Sequence, residues 1–186
     1  KGDPMGVYKS HDGTFSFLYI TQNNIRVAFL AFILGIFVSF GTAMILFSNS
    51  IMLGSFLYFF YKYDALYMAM KTIWIHGTLE ISAIIIAGAA GFVIGNSILF
   101  PGTYSRRRSF IRGARTGLKI VMCLVPVFIV AGFLESYVTR NTEMPAVVNF
   151  SIIFGSLAFV LWYFVFYPAK LYKRSVKAGF VPVDDE

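Results

Sequence analysis

Residues 75–95 read IHGTLEISAIIIAGAAGFVIG, an apolar run that opens with a histidine and a glutamate. His76 and Glu80 are four residues apart, so on a helix they share one face. An ionisable group beside lipid is unfavourable, which means this pair requires a partner, a position near water, or a task. Below it Ala83, Ala87, Gly91 and Gly95 follow at four-residue steps on nearly the same face. Small residues at this spacing let two helix backbones approach closely in a membrane. The face therefore meets another helix, of this chain or of another, and the sequence leaves both open.

Composition agrees with a membrane setting. The chain is 58% hydrophobic and 13% charged, with a mean hydropathy of +0.71, whereas soluble domains carry about 25% charged residues. Its 21 Phe and 11 Tyr suit lipid-facing and interfacial positions. The class is an all-α, polytopic transmembrane helical bundle. The lone Cys123 excludes an intrachain disulfide or a thiolate metal cluster and reads as a small packed residue. No charged segment leads into an apolar one after Lys1, so the start reads as the interior of a longer protein.

Four runs approach the roughly 20 apolar residues needed to cross a bilayer: residues 27–47, 81–100, 118–137 and 147–167. Residues 51–74 are interrupted by Lys62, Asp64 and Lys71. They read as two short helices, either a thin broken crossing or a re-entrant hairpin covered by protein. The organisation expected is a lead-in at 1–24, outside the cytoplasm if residues 51–74 cross and cytoplasmic if they re-enter, then a bundle at 25–168 and a basic cytoplasmic tail at 169–186. Arg106, Arg107, Arg108, Arg112 and Arg115 form a basic loop without an acid. The positive-inside rule puts that loop and the tail in the cytoplasm. Much of the +7 net charge is then topological, contacting anionic lipid at most, and no nucleic-acid partner is expected.

That topology gathers His76, Glu80 and Glu135 on the opposite side. If residues 51–74 cross, Asn23, Asn24 and Arg26 join them, and Arg26 neutralises a glutamate while the amides complete the hydrogen bonding. The leading reading is a polar staple between helix ends. A site for a headgroup, ion or partner segment comes second. A metal enzyme comes last, because H-x-x-x-E lacks the second histidine of H-E-x-x-H. No catalytic residue, cofactor or metal is assigned, since neither a nucleophile elbow nor a phosphate-binding loop is present. His11 reads as solvated. Pro126 interrupts its span as a static bend or a hinge.

The segments TQNNIRVAFLAFILGI (21–36), IWIHGTLEISAIIIAGAAG (73–91), FPGTYSRRRSFIRGARTGLKI (100–120) and IVAGFLESYVTR (129–140) resemble the stage II sporulation protein M family, most closely its Bacteroidetes-type members. The resemblance covers nearly the whole chain. It implies a further span upstream, which would put residues 1–24 outside and make residues 51–74 cross. It also implies a membrane scaffold, which in spore formers holds peptidoglycan-degrading enzymes and is not itself the hydrolase. Asn23, Asn24, His76, Glu80 and Glu135 match the family pattern without an assigned role.

The reading that results is a non-enzymatic scaffold of a cell-envelope complex in the bacterial cytoplasmic (inner) membrane. Its expected partners are membrane lipids, other envelope membrane proteins and a second copy of itself. A transporter or lipid-handling permease, and an intramembrane metal-dependent hydrolase, are the alternatives.

Overall fold

A computed structural model describes residues 13–139 and 144–178. The lead-in residues 1–12 with His11, and the tail residues 179–186, lie outside the described residues. Among those described there is no strand. Helix α1 (Gly13–Ile33) ends in a 3-10 turn at Leu34–Ile36, and α2 (Phe40–Lys62) runs back beside it. Then come α3 (Leu66–Leu99), α4 (Arg106–Phe133), α5 (Ala146–Val160) and α6 (Tyr167–Lys177). A π-helical turn, Leu134–Val138, prolongs α4, and another, Leu161–Phe166, joins α5 to α6. Five of the resulting segments are long and apolar enough to cross a membrane. The protein is a polytopic helical membrane protein.

The first reversal corrects the span expected at residues 27–47. The chain turns through Val38 (φ 55) and Ser39 (φ 68), so that stretch is shared by α1 and α2. No proline or charge marks the turn. Tertiary packing makes it: the bare backbone of Gly35 lies against the Gly91 carbonyl, and Gly95 faces Ser39. The Ser39 N–H closes the turn on the Gly35 carbonyl at 3.0 Å.

A second reversal, with Asp64 at φ 53, divides residues 51–74. The halves are not two short helices; one completes α2 and the other begins α3, which is a single helix of 34 residues. The span expected at 81–100 is thus only its second part. Residues 13–24 of the expected lead-in are likewise helical and belong to α1.

Helix α3 is the central element and packs on α1, α2, α4 and α5. Its buried Leu79, Ala83, Ala87, Ala90 and Ile94 meet Ala28 and Phe32 of α1 and Leu124, Phe128 and Ala131 of α4. Lipid tails are as apolar as these side chains, so association comes from close packing and hydrogen bonds. Gly91 faces the Ala31 carbonyl and Thr42, and the buried Thr42 hydroxyl donates to that same carbonyl at 2.6 Å. Helices α2 and α5 flank this core with mostly exposed apolar side chains.

The basic cluster is helical, a further correction to the loop expected there. Arg106, Arg107, Arg108, Arg112 and Arg115 occupy the first turns of α4, where Ser109 anchors the helix by donating to the Ser97 carbonyl at 2.7 Å. Arg108 and Arg112 lie over the Tyr104 ring, 5.4 and 5.2 Å from its centre. A cavity of about 810 Å³ opens at this basic end beside Asn96, Tyr104 and Arg112. Cys123 is exposed rather than packed. Pro126 lies within α4 and lines an apolar cleft of about 390 Å³ with Leu79 and Phe159.

Candidate functional site: a buried polar cluster between three helices

Antiparallel packing of α3 on α4 brings the α4 end away from the arginines beside the first half of α3. His76 and Glu80, one turn apart on α3, face Glu135 in the π-helical turn. His76 is buried, while Glu80 and Glu135 are partly so. The widened turn is closed by the Thr139 N–H on the Leu134 carbonyl at 2.8 Å. The Thr139 hydroxyl donates to the same carbonyl at 3.1 Å and sits 3.2 Å from His76 Nδ1. When that hydroxyl donates to Leu134 it accepts from Nδ1, in the tautomer that carries the imidazole proton there. Nε2 is left with its lone pair, and Glu135 Oε2 lies 3.9 Å away, beyond a hydrogen bond.

One ligand atom each from His76, Glu80 and Glu135 fall within 4.8 Å of one another. From α1, Asn24 is 6% exposed and faces Glu80, yet its Nδ2 makes no hydrogen bond of regular geometry. The buried hydroxyls of Thr21 and Ser136 and the Asn149 carbonyl oxygen are also without partners. A buried polar group left unmatched costs about 1–3 kcal/mol, so this region of the bundle carries polar groups that its packing does not fully satisfy.

Two expected members are elsewhere. Asn23 and Arg26 are exposed on the outer face of α1. Arg26 therefore does not neutralise Glu80 or Glu135, and among the described residues it forms no ion pair. The reason is helical phase. At about 100° per residue, Thr21 and Asn24 point inward while Gln22, Asn23 and Arg26 point outward.

The small-residue ridge is satisfied within the chain. Ala83 and Ala87 are buried in the core, Gly88 faces Leu46, Gly91 faces α1 and α2, and Gly95 faces Ser39. That resolves the choice left open by the spacing. The ridge seats α1 and α2 on α3.

The sequence pattern of Stage II sporulation protein M matches residues 3–140, well over half of the chain. The chain belongs to that family. The region matched to the Stage II sporulation protein M family contains α1 to α4 with His76, Glu80, Glu135, Thr139 and Asn24; α5 and α6 lie beyond it. An uncharacterized protein of Methanocaldococcus jannaschii is 29% identical over 133 residues, which are 70% of this chain and 58% of that protein. The chain thus spans under two thirds of that relative's length. No solved structure matches.

Thr139, Thr21, Ser136 and Asn149 are additions that sequence reading missed. Hydroxyl residues are common in membrane helices, and one at a helix end carries no periodic signal. Asn149, a lone amide in the run VVNFSIIF (147–154), was the most conspicuous of them. It is buried and lines a cavity of about 90 Å³ with Lys71, Thr72 and Thr139.

Proposed function

We propose that this member of the Stage II sporulation protein M family is a non-enzymatic scaffold in the cytoplasmic membrane, holding another membrane protein of an envelope complex against α1. The observation that carries the reading is the outer face of that helix. Tyr19, Gln22, Asn23 and Arg26 follow at helical spacing, all exposed, and Arg26 lies close to the midpoint of the Gly13–Ile36 segment. An arginine at mid-membrane costs about 2.5–3.5 kcal/mol against lipid even by the mildest scale. It is too deep to reach a headgroup except by bending the bilayer or stretching along the helix. A partner helix with a carboxylate or free carbonyl at that depth satisfies the guanidinium, and Gln22 and Asn23 add interhelical hydrogen bonds. On this reading the interior cluster holds α3 to α4 so that α1 has a rigid support.

A photo-crosslinking residue at Asn23, in native membranes, tests this. The expected product is a covalent adduct with a different membrane protein, reduced about tenfold by Arg26→Leu, a loss of roughly 1.4 kcal/mol in binding. The same probe at Ile85, on exposed α3 surface, should give no such adduct. Adducts confined to lipid, to a second copy or to the same polypeptide would contradict the proposal.

A further inference from the structure

We infer that His76, Glu80 and Glu135 form a binding site for one divalent first-row transition-metal ion, zinc, manganese or iron being the class. The inference is independent of the scaffold reading. Its first support is the direction of the donors. Nδ1 lies against the Thr139 hydroxyl, and in the tautomer that donates to it Nε2 turns its lone pair towards Glu135. At 3.9 Å the imidazole and the Glu135 carboxylate are not hydrogen-bonded to each other. A lone pair facing carboxylate oxygens is repulsive when empty and attractive around a cation. Metal-binding imidazoles are typically oriented in this way, by a hydrogen bond from the other ring nitrogen.

Charge is the second support. Among the described residues no lysine or arginine pairs with Glu80 or Glu135. Two ionised carboxylates with oxygens within 4.8 Å of each other repel strongly away from bulk water. A dication with two carboxylates and one neutral imidazole makes a site of zero net charge, the form a membrane interior tolerates best.

The third support is Asn24. Its amide is buried beside the Glu80 carboxyl, in an interaction too distorted to be a regular hydrogen bond. Turned over, which the shape of an amide permits, the group presents Oδ1 to the same space as a fourth ligand. Ligand atoms within 4.8 Å need only side-chain adjustment to reach the ~3.4 Å edges of a tetrahedron with bonds near 2.1 Å. The nitrogen ligand favours these metals over magnesium or calcium, which prefer all-oxygen shells.

The test uses the intact chain, purified in mild detergent without chelator and with a tag that contains no histidine. Elemental analysis should find about one transition-metal ion per chain. Stripped protein should regain it from Zn²⁺, Mn²⁺ or Fe²⁺ and melt at a higher temperature when loaded. His76→Ala and Glu135→Gln should lower bound metal at least tenfold. Thr139→Val leaves all three ligands in place and should weaken affinity by about 10–100-fold while still filling at high metal. Wild-type protein that is monodisperse and takes up none of these ions overturns the inference. So does uptake equal to that of the His76→Ala/Glu135→Gln double variant. Because wild-type loading is itself a readout, misfolding of a variant cannot hide either result.

Discussion

Gly91→Leu is expected to abolish accumulation of monodisperse protein in the membrane, whereas Gly54→Leu leaves it unchanged. Any side chain at position 91 points into the Ala31 carbonyl and the Thr42 side chain. One obstacle is backbone and the other is a hydroxyl already committed to Ala31, so neither can step aside cheaply. Accommodating four carbons would separate α1 and α2 from α3, undoing the Gly35–Gly91 contact that forms the first reversal. Overpacking of a tight core costs about 1–3 kcal/mol where side chains can shift, and more where backbone must. A side chain at Gly54 would enter open space, so leucine there only adds surface towards lipid. Size-exclusion profiles of solubilised membranes check both variants. A normal Gly91→Leu profile would mean that the helices are further apart than described.

The second large effect separates the polar cluster's parts from its whole. With chelator present throughout, His76→Leu should lower the melting temperature by roughly 5 °C, as expected for about 1–3 kcal/mol in a chain of this size. The substitution removes the imidazole beside the two carboxylates and takes from the buried Thr139 hydroxyl its contact with Nδ1, leaving it only the Leu134 carbonyl. Replacing His76, Glu80 and Glu135 together by leucine should recover most of that loss, because a buried polar network is worth little against apolar side chains of similar volume. Thermal melts of the four proteins, with Glu80→Leu/Glu135→Leu as the intermediate, give the comparison. A triple variant less stable than His76→Leu would show that the cluster contributes net stability without metal.

The sequence made the class and the second part of the central helix legible because both rest on long-range averages. Hydropathy sums over twenty residues, and the ridge from Ala83 to Gly95 repeats four times. The first reversal was not legible. Its segment LGIFVSFG (34–41) has no proline or charge, and its turn depends on Gly91 and Gly95, more than fifty residues away. The polar run at 21–26 misled for a related reason. Read linearly it marks the edge of a membrane span; read around a helix it divides into a buried pair, Thr21 and Asn24, and an exposed set. Half of the cluster was readable, since His76 and Glu80 share a face by spacing and Glu135 follows from topology. Thr139 was not, because its role depends on the π-helical turn that folds its hydroxyl back onto Leu134.

Side-specific labelling of single cysteines in a Cys123→Ser background tests the central claim, that α1 turns back at residues 34–39 and seats α1 and α2 on α3. Phe37→Cys, at the exposed tip of the first reversal, should react with an impermeant maleimide from the same membrane side as Gly102→Cys. Asp64→Cys, at the second reversal, should react only from the other side. A cysteine at position 37 shielded from both sides, as the middle of an uninterrupted 27–47 helix requires, would contradict the fold and with it the convergence of Asn24, His76, Glu80 and Glu135.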